Sequence, residues 1–167
     1  MNIKKTANLL LNFAIKRLAE IFGIFIFISG LILLISLLTY SPDDPNFIFP
    51  KDTQIKNLLG FQGSFISDLF FQSVGLIAYL ISFTLLITGI NIFNSKEFFL
   101  IIENIFFVIL YSIFGSLLLT YFYSDIFTLY INGSGGFVGN YYDQTFLIHI
   151  HRYLLIKIRH LRLIWYF

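Results

Sequence analysis

Polar and charged positions along this chain gather into a few short stretches and leave long apolar runs between them. Ile21 to Tyr40 carries no charge over twenty residues, Leu69 to Ser95 is a second uncharged run, and Phe98 to Tyr123 is a third, broken only by Glu103 near its start. At about 1.5 Å rise per residue, about twenty residues cross a hydrocarbon core about 30 Å thick. Lipid offers no partner to backbone polar groups, so each run is predicted to be a helix that satisfies its own. Gly30, Gly75, Gly89 and Gly115 fall inside the runs, where glycine is tolerated and lets neighbouring helices approach. The first run follows a basic start, as a signal peptide's does, but it is too long for one and no small-x-small cleavage pattern follows it. The pattern reads as an all-α membrane protein. Its spans are 21–40, 69–95 and 98–123, joined by a loop at 41–68 and a turn at 96–97, then followed by a glycine-rich loop at 124–145 and a basic, aromatic tail at 146–167.

The leader, residues 1–20, shows helical periodicity of its own. Lys5, Asn8, Asn12 and Lys16 fall on one face, with Leu10, Leu11, Ala14 and Leu18 opposite. Two readings stand together: a helix lying in the headgroup region before turning into the first span, and a solvated basic leader that only sets topology. Lys4, Lys5, Lys16 and Arg17 precede the first span against Glu20 alone, whereas the 41–68 loop sets Asp43, Asp44, Asp52 and Asp68 against Lys51 and Lys56. The positive-inside preference therefore puts the amino terminus and the Lys96 turn in the cytoplasm and the 41–68 loop outside, in the periplasm of a bacterial inner membrane.

Composition agrees. Of 167 residues 57% are hydrophobic and 12% charged, where a soluble domain carries about a quarter charged. Mean hydropathy is +0.83. Without cysteine, disulfides, thiolate metal sites and cysteine nucleophiles are excluded, and a net charge of +2 gives no field for nucleic acid.

Candidate chemistry is sparse. Glu103 is the one ionisable residue inside a span, and such residues mark function by default. It lies about 7 Å in from Phe98 at helical rise, which equally suits an interfacial acid beside Asn104. Ser112, Gly115 and Ser116 form a small-residue stripe suited to helix packing. Ser41-Pro42-Asp43-Asp44-Pro45 has acids for calcium but lacks the alternation, glycine and closing glutamate of an EF-hand, and the prolines predict a helix stop and turn instead. Asn132-Gly133-Ser134 fits a glycosylation acceptor. His149 and His151 diverge on a helix or strand, so no shared metal is expected from them. No Walker A, G-x-S-x-G or H-E-x-x-H sequence is present, so no catalytic residue, cofactor or metal site is expected in this chain.

Five stretches in order, between about Arg17 and Gly139, resemble the N-terminal four-span membrane domain of FtsK/SpoIIIE-type DNA translocases. They are Tyr40-Ser41-Pro42-Asp43-Asp44-Pro45, then Asn57-Leu58-Leu59-Gly60-Phe61-Gln62-Gly63-Ser64, then Ser67-Asp68, then Gly75-Leu76-Ile77-Ala78-Tyr79, and last Gly135-Gly136-Phe137-Val138-Gly139. The resemblance implies a membrane anchor, targeted to the division septum, for a hexameric motor that moves chromosomal DNA. ATP and magnesium would be used in a motor domain this chain does not carry, and DNA and other division proteins would be partners alongside the bilayer. Together with Glu103 and Gly115, the residues Pro42, Asp43, Asp44, Pro45, Gly60, Gly63, Asp68, Gly75 and Tyr79 are the candidate turn and packing positions.

The family calls for a fourth span after the glycine stretch, and none is evident. Phe146 to Phe167 holds His149, His151, Arg152, Lys157, Arg159, His160 and Arg162, and a central Arg or Lys costs about 2.5–3.5 kcal/mol on insertion scales. The expectation drawn from this is a reading frame lost near Thr145, or a fragment with an altered end. The alternative functions are a small transporter or channel component using Glu103, and a division scaffold without a motor.

Overall fold

The computed structural model describes residues 3–45, 54–123 and 132–147. Helix α1 (Ile3–Leu38) is followed by α2 (Gly60–Val74), a single 3₁₀ turn (Gly75–Ile77), α3 (Ala78–Ser95) and α4 (Phe99–Tyr123). A short α5 (Gly136–Tyr142) runs into a wider π turn (Asp143–Leu147). No strand occurs among the described residues. Three stretches, Asn8–Leu38, Gly60–Ser95 and Phe99–Tyr123, are long and apolar enough to cross a bilayer, so the protein is an all-α, membrane-embedded chain.

The segment boundaries differ from those drawn on charge in four places. The leader does not turn before the first span: α1 is continuous from Ile3, because no glycine or proline interrupts residues 3–22 and Arg17 pairs with Glu20 one turn on. The second span begins nine residues early, at Gly60. Asp68 had marked the end of a loop, yet it lies inside α2 because the Tyr40 hydroxyl donates to its Oδ1 at 3.3 Å. That span is also not one rod, since it breaks at Gly75–Ile77. Part of the 124–145 loop is helical, as α5. The tail at 148–167, with His149, His151, His160 and the expected fourth span, lies outside the described residues.

Packing runs mainly along α1 and α3. At their crossing Gly23 and Gly89 face each other so closely that a Cβ on Gly23 would sit 2.7 Å from the Phe93 nitrogen and 2.8 Å from the Gly89 carbonyl oxygen. In lipid, association depends on such close contact, since no water is released by hiding apolar surface. Nearer the carboxyl end of α1, Leu33, Leu37, Phe71 and Ala78 form a buried core flanked by Tyr40, Ile66, Val74, Tyr79 and Leu85. Tyr40 and Tyr79 meet the Phe71 ring edge-on at 5.0 and 5.6 Å. Helix α4 joins α3 through side-chain hydrogen bonds, Thr84 with Tyr111 at 2.9 Å and the Asn104 amide to Thr88 at 2.8 Å. Double-mutant cycles in a natural membrane helix bundle put such bonds at about 0.6 kcal/mol each on average.

Candidate functional site

Two polar junctions hold the bundle, and most of the residues singled out in the sequence fall in them. The first closes the carboxyl end of α1. A helix leaves its last carbonyls without partners, and here three are met in turn. The Thr39 amide and hydroxyl both donate to Ile35 O, the Asn57 side-chain amide donates to Ser36 O at 2.9 Å, and the Tyr79 hydroxyl donates to Leu37 O at 3.2 Å.

Asn57 is placed by Asp44. The Asp44 carboxylate, 3% exposed, accepts the backbone amides of Lys56 and Asn57, each at 2.8 Å. Charge-assisted bonds of this kind run about twice the strength of neutral ones. Asn57 Oδ1 in turn accepts the Leu59 amide at 3.1 Å, which sets the entry to α2 at Gly60. Gly63 lies directly beneath the Asn57 side chain. Ser64 donates to the Pro45 carbonyl at 3.1 Å, so the end of the Pro42–Pro45 turn is tied to the first turns of α2 as well. Asp43 differs from Asp44: its exposed carboxylate pairs with the Lys56 ammonium at 3.0 Å. Both acids are committed to partners within the chain, and among the described residues no group of acids and histidines is arranged for a metal.

The second junction repairs the break between α2 and α3. Gly75 sits at φ 62°, ψ −141°, a region open essentially to glycine alone. The turn frees Val74 O and the Leu76 amide from the helical ladder, and two later parts of the chain supply the partners. Ser116 of α4 donates to Val74 O at 3.0 Å, and the Leu76 amide donates to Ser134 O at 3.0 Å. Ser134 donates to Leu119 O and Tyr123 O, both at 3.1 Å. The Asn132 side chain donates to Gln72 O at 3.2 Å and Asn140 donates to Asn132 O at 2.8 Å. The amide that a glycan on Asn132 would use is thus engaged inside the fold. The α4 face that receives this segment carries Ser112, Ser116 and Thr120, all buried, and Gly115 makes room for Ile77.

A third group, missed in the sequence, ties the other end of the bundle. Glu20 of α1 accepts Lys96 at 2.9 Å and also pairs with Arg17. Lys96 ends α3 in the left-handed conformation, φ 61°. Both residues flank spans assigned to one side of the membrane, so opposite charge on the same side was the available signal. Asn57 and Ser134 were quoted as parts of motifs, but their roles depend on a backbone carbonyl reached across the fold, and no spacing announces that.

Glu103 stands apart. It is exposed on α4 with no partner among the described residues, while its neighbour Asn104 points into the bundle. Among the described residues, nothing is brought to Glu103 that would handle an ion.

Comparison with known proteins gives one family. Residues 15–152 match the family described as the 4TM region of DNA translocase FtsK/SpoIIIE. The protein named DNA translocase FtsK from Azospirillum brasilense is 34% identical over 79 residues, which is 46% of this chain and 12% of that protein. Those of Rickettsia typhi and Rickettsia prowazekii are 32% and 33% identical over 71 and 69 residues, covering 42% and 41% of this chain and 10% and 9% of theirs. The matched stretch therefore spans about a tenth of the length of these relatives. No solved structure matches.

Proposed function

The chain belongs to the family of the 4TM region of DNA translocase FtsK/SpoIIIE, and we propose that it serves as the membrane anchor of such a translocase. In this reading it targets the division septum and tethers an ATP-driven motor, so that chromosome segregation is coupled to cell division. The amino terminus lies in the cytoplasm, and the Asp44 junction faces the periplasm. ATP, magnesium and DNA belong to the motor rather than to this region, and the assembly is a homo-oligomer, hexameric by resemblance, in contact with other division proteins.

One observation carries the proposal: the family match extends across both junctions. The Tyr40–Pro45, Asn57–Ser64 and Gly75–Tyr79 stretches, together with Ser134–Gly136, form the contacts that fix the helices to one another. Those polar groups are spent on holding backbone in place, as an anchor under load requires.

A fluorescent fusion of the whole chain tests the targeting. The expected result is signal concentrated at the septum of dividing cells, and even staining of the whole membrane would overturn it. The coding sequence beyond Phe167, read in all three frames, tests the motor: a Walker A motif is expected, and its absence favours the motor-less scaffold.

A further inference from the structure

Two faces on opposite sides of the bundle fit each other in shape, charge and depth. On one side α3 bonds to α4 through Thr84 and Thr88, and Phe22 of α1 meets Phe98 with ring centroids 5.9 Å apart. Ile24 and Ile90 each come two residues after a position that faces α4, Phe22 and Thr88, and so point about 200° round their helices, away from it. There the crossing of Gly23 and Gly89 leaves a groove of about 280 Å³, lined by Gly23, Ile24, Phe27, Gly89, Ile90 and Phe93. At the far edge of the bundle is the outer face of α4. Asn104 points inward to Thr88, and on the other side of that helix Phe99, Ile102 and Phe106 are 82%, 66% and 61% exposed.

Copies inserted the same way up are related by rotation about the bilayer normal, so surfaces that meet must lie at one depth. These do. With Asn104 beside Thr88 and α4 antiparallel to α3, Ile102 is level with Ile90 and Phe99 with Phe93, at the groove. An apolar cavity of about 150 Å³ already takes benzene, so the groove has room for the Phe99 ring. Charge matches one level further out, which the Glu20–Lys96 pair marks. Lys16 lies there one turn before Glu20, and about three turns before Phe27 on the groove side. Glu97 lies there in the turn before α4. Both are exposed, and neither has an ion pair among the described residues. Glu103, on the outer side of α4, leans toward the same level, since helical side chains tilt to the amino end. The groove side thus presents an unpaired cation, and the α4 side unpaired acids.

We propose that the outer face of α4 in one copy seats in the α1–α3 groove of the next, with Phe99 in the groove and Lys16 paired to Glu97. This contact rests on the homo-oligomer reading above and gives it a surface; because the two faces differ, each copy offers one of each, and repetition builds a ring. The chain has no cysteine, so Ile102→Cys and Ile90→Cys can be placed on separately tagged copies of the whole chain, expressed together and oxidised in membrane vesicles. A disulfide between the two is expected. Phe99→Ala in the Ile102→Cys copy should lower its yield about fivefold, whereas Phe114→Ala, also exposed on α4, should not. Lys16→Glu and Glu97→Lys should each lower the yield about threefold, and both together in every copy should restore it. Disulfides only between Ile102→Cys copies, or a yield unmoved by Phe99→Ala, would overturn the seating, and single reversals that the pair does not rescue would overturn the ion pair. Native mass spectrometry of the unsubstituted chain separates the two readings: multimers without the 102–90 disulfide refute this contact alone, and monomers only refute the homo-oligomer reading with it.

Discussion

Replacing Gly75 by alanine isolates the junction between α2 and α3. Two costs add. The backbone at φ 62°, ψ −141° is strained for any residue with a side chain by about 1–3 kcal/mol. The new Cβ would also land on the Ser134 carbonyl oxygen, which must retreat and release the Leu76 amide, a loss of about 1 kcal/mol. Together Gly75→Ala should destabilise by about 2–4 kcal/mol. Gly60→Ala is the matched control, because Gly60 also has positive φ, 65°, but nothing lies within 4 Å of the added carbon. Left-handed strain alone predicts about 1–2 kcal/mol there. Unfolding in mixed micelles, titrated with dodecyl sulfate and followed by helical circular dichroism, measures both. Equal losses for the two variants would refute the claim that the Ser134 segment is docked against Gly75, and a Gly75→Ala loss under about 0.5 kcal/mol would refute the break itself.

The remaining expectations use the same assay. Asp44→Ala should destabilise by about 2–4 kcal/mol, because two backbone amides lose a charged acceptor. Asp43→Ala should change stability by less than about 0.5 kcal/mol, its pair with Lys56 being exposed on both sides. Gly89→Leu should cost about 1–3 kcal/mol or more, since the added carbons meet the Phe27 nitrogen at 2.6 Å and must force α1 and α3 apart; crosslinking yield between cysteines placed on the two helices reports the separation. Glu103→Gln should leave stability within about 0.5 kcal/mol and produce no change in ion flux across sealed vesicles, and a flux that depends on Glu103 would revive the transporter reading.

The helical class and the three spans were legible because lipid makes the rule severe: an uncharged run of sufficient length has one available structure. The same rule misplaced the boundaries wherever a polar group finds a partner in the fold. Asp68 looked like loop because it is charged, but a tyrosine hydroxyl from α1 lets it sit in α2. Gly75 looked like an ordinary packing glycine, and only the positive φ and the approach of Ser134 reveal a break. Of the two readings of the leader, the continuous helix α1 removes the one that lies flat and then turns, since a polar stripe fits a helix lying flat and one prolonging a span equally well. For the candidate residues, the motif blocks located both junctions, while the hydrogen bonds that make them work join positions up to 60 residues apart and lie beyond any local pattern.

That separation bears on how the protein is made. When Gln72 and Leu76 leave the ribosome, the groups that complete their surroundings, Asn132 and Ser134, are still untranslated. At about 5–20 residues per second, the interrupted rod waits about 3–12 s in the translocon or the bilayer with an amide and a carbonyl unsatisfied. Nascent chains stalled before Gly133 should therefore be held by insertion chaperones, and those stalled well after Tyr142 released from them.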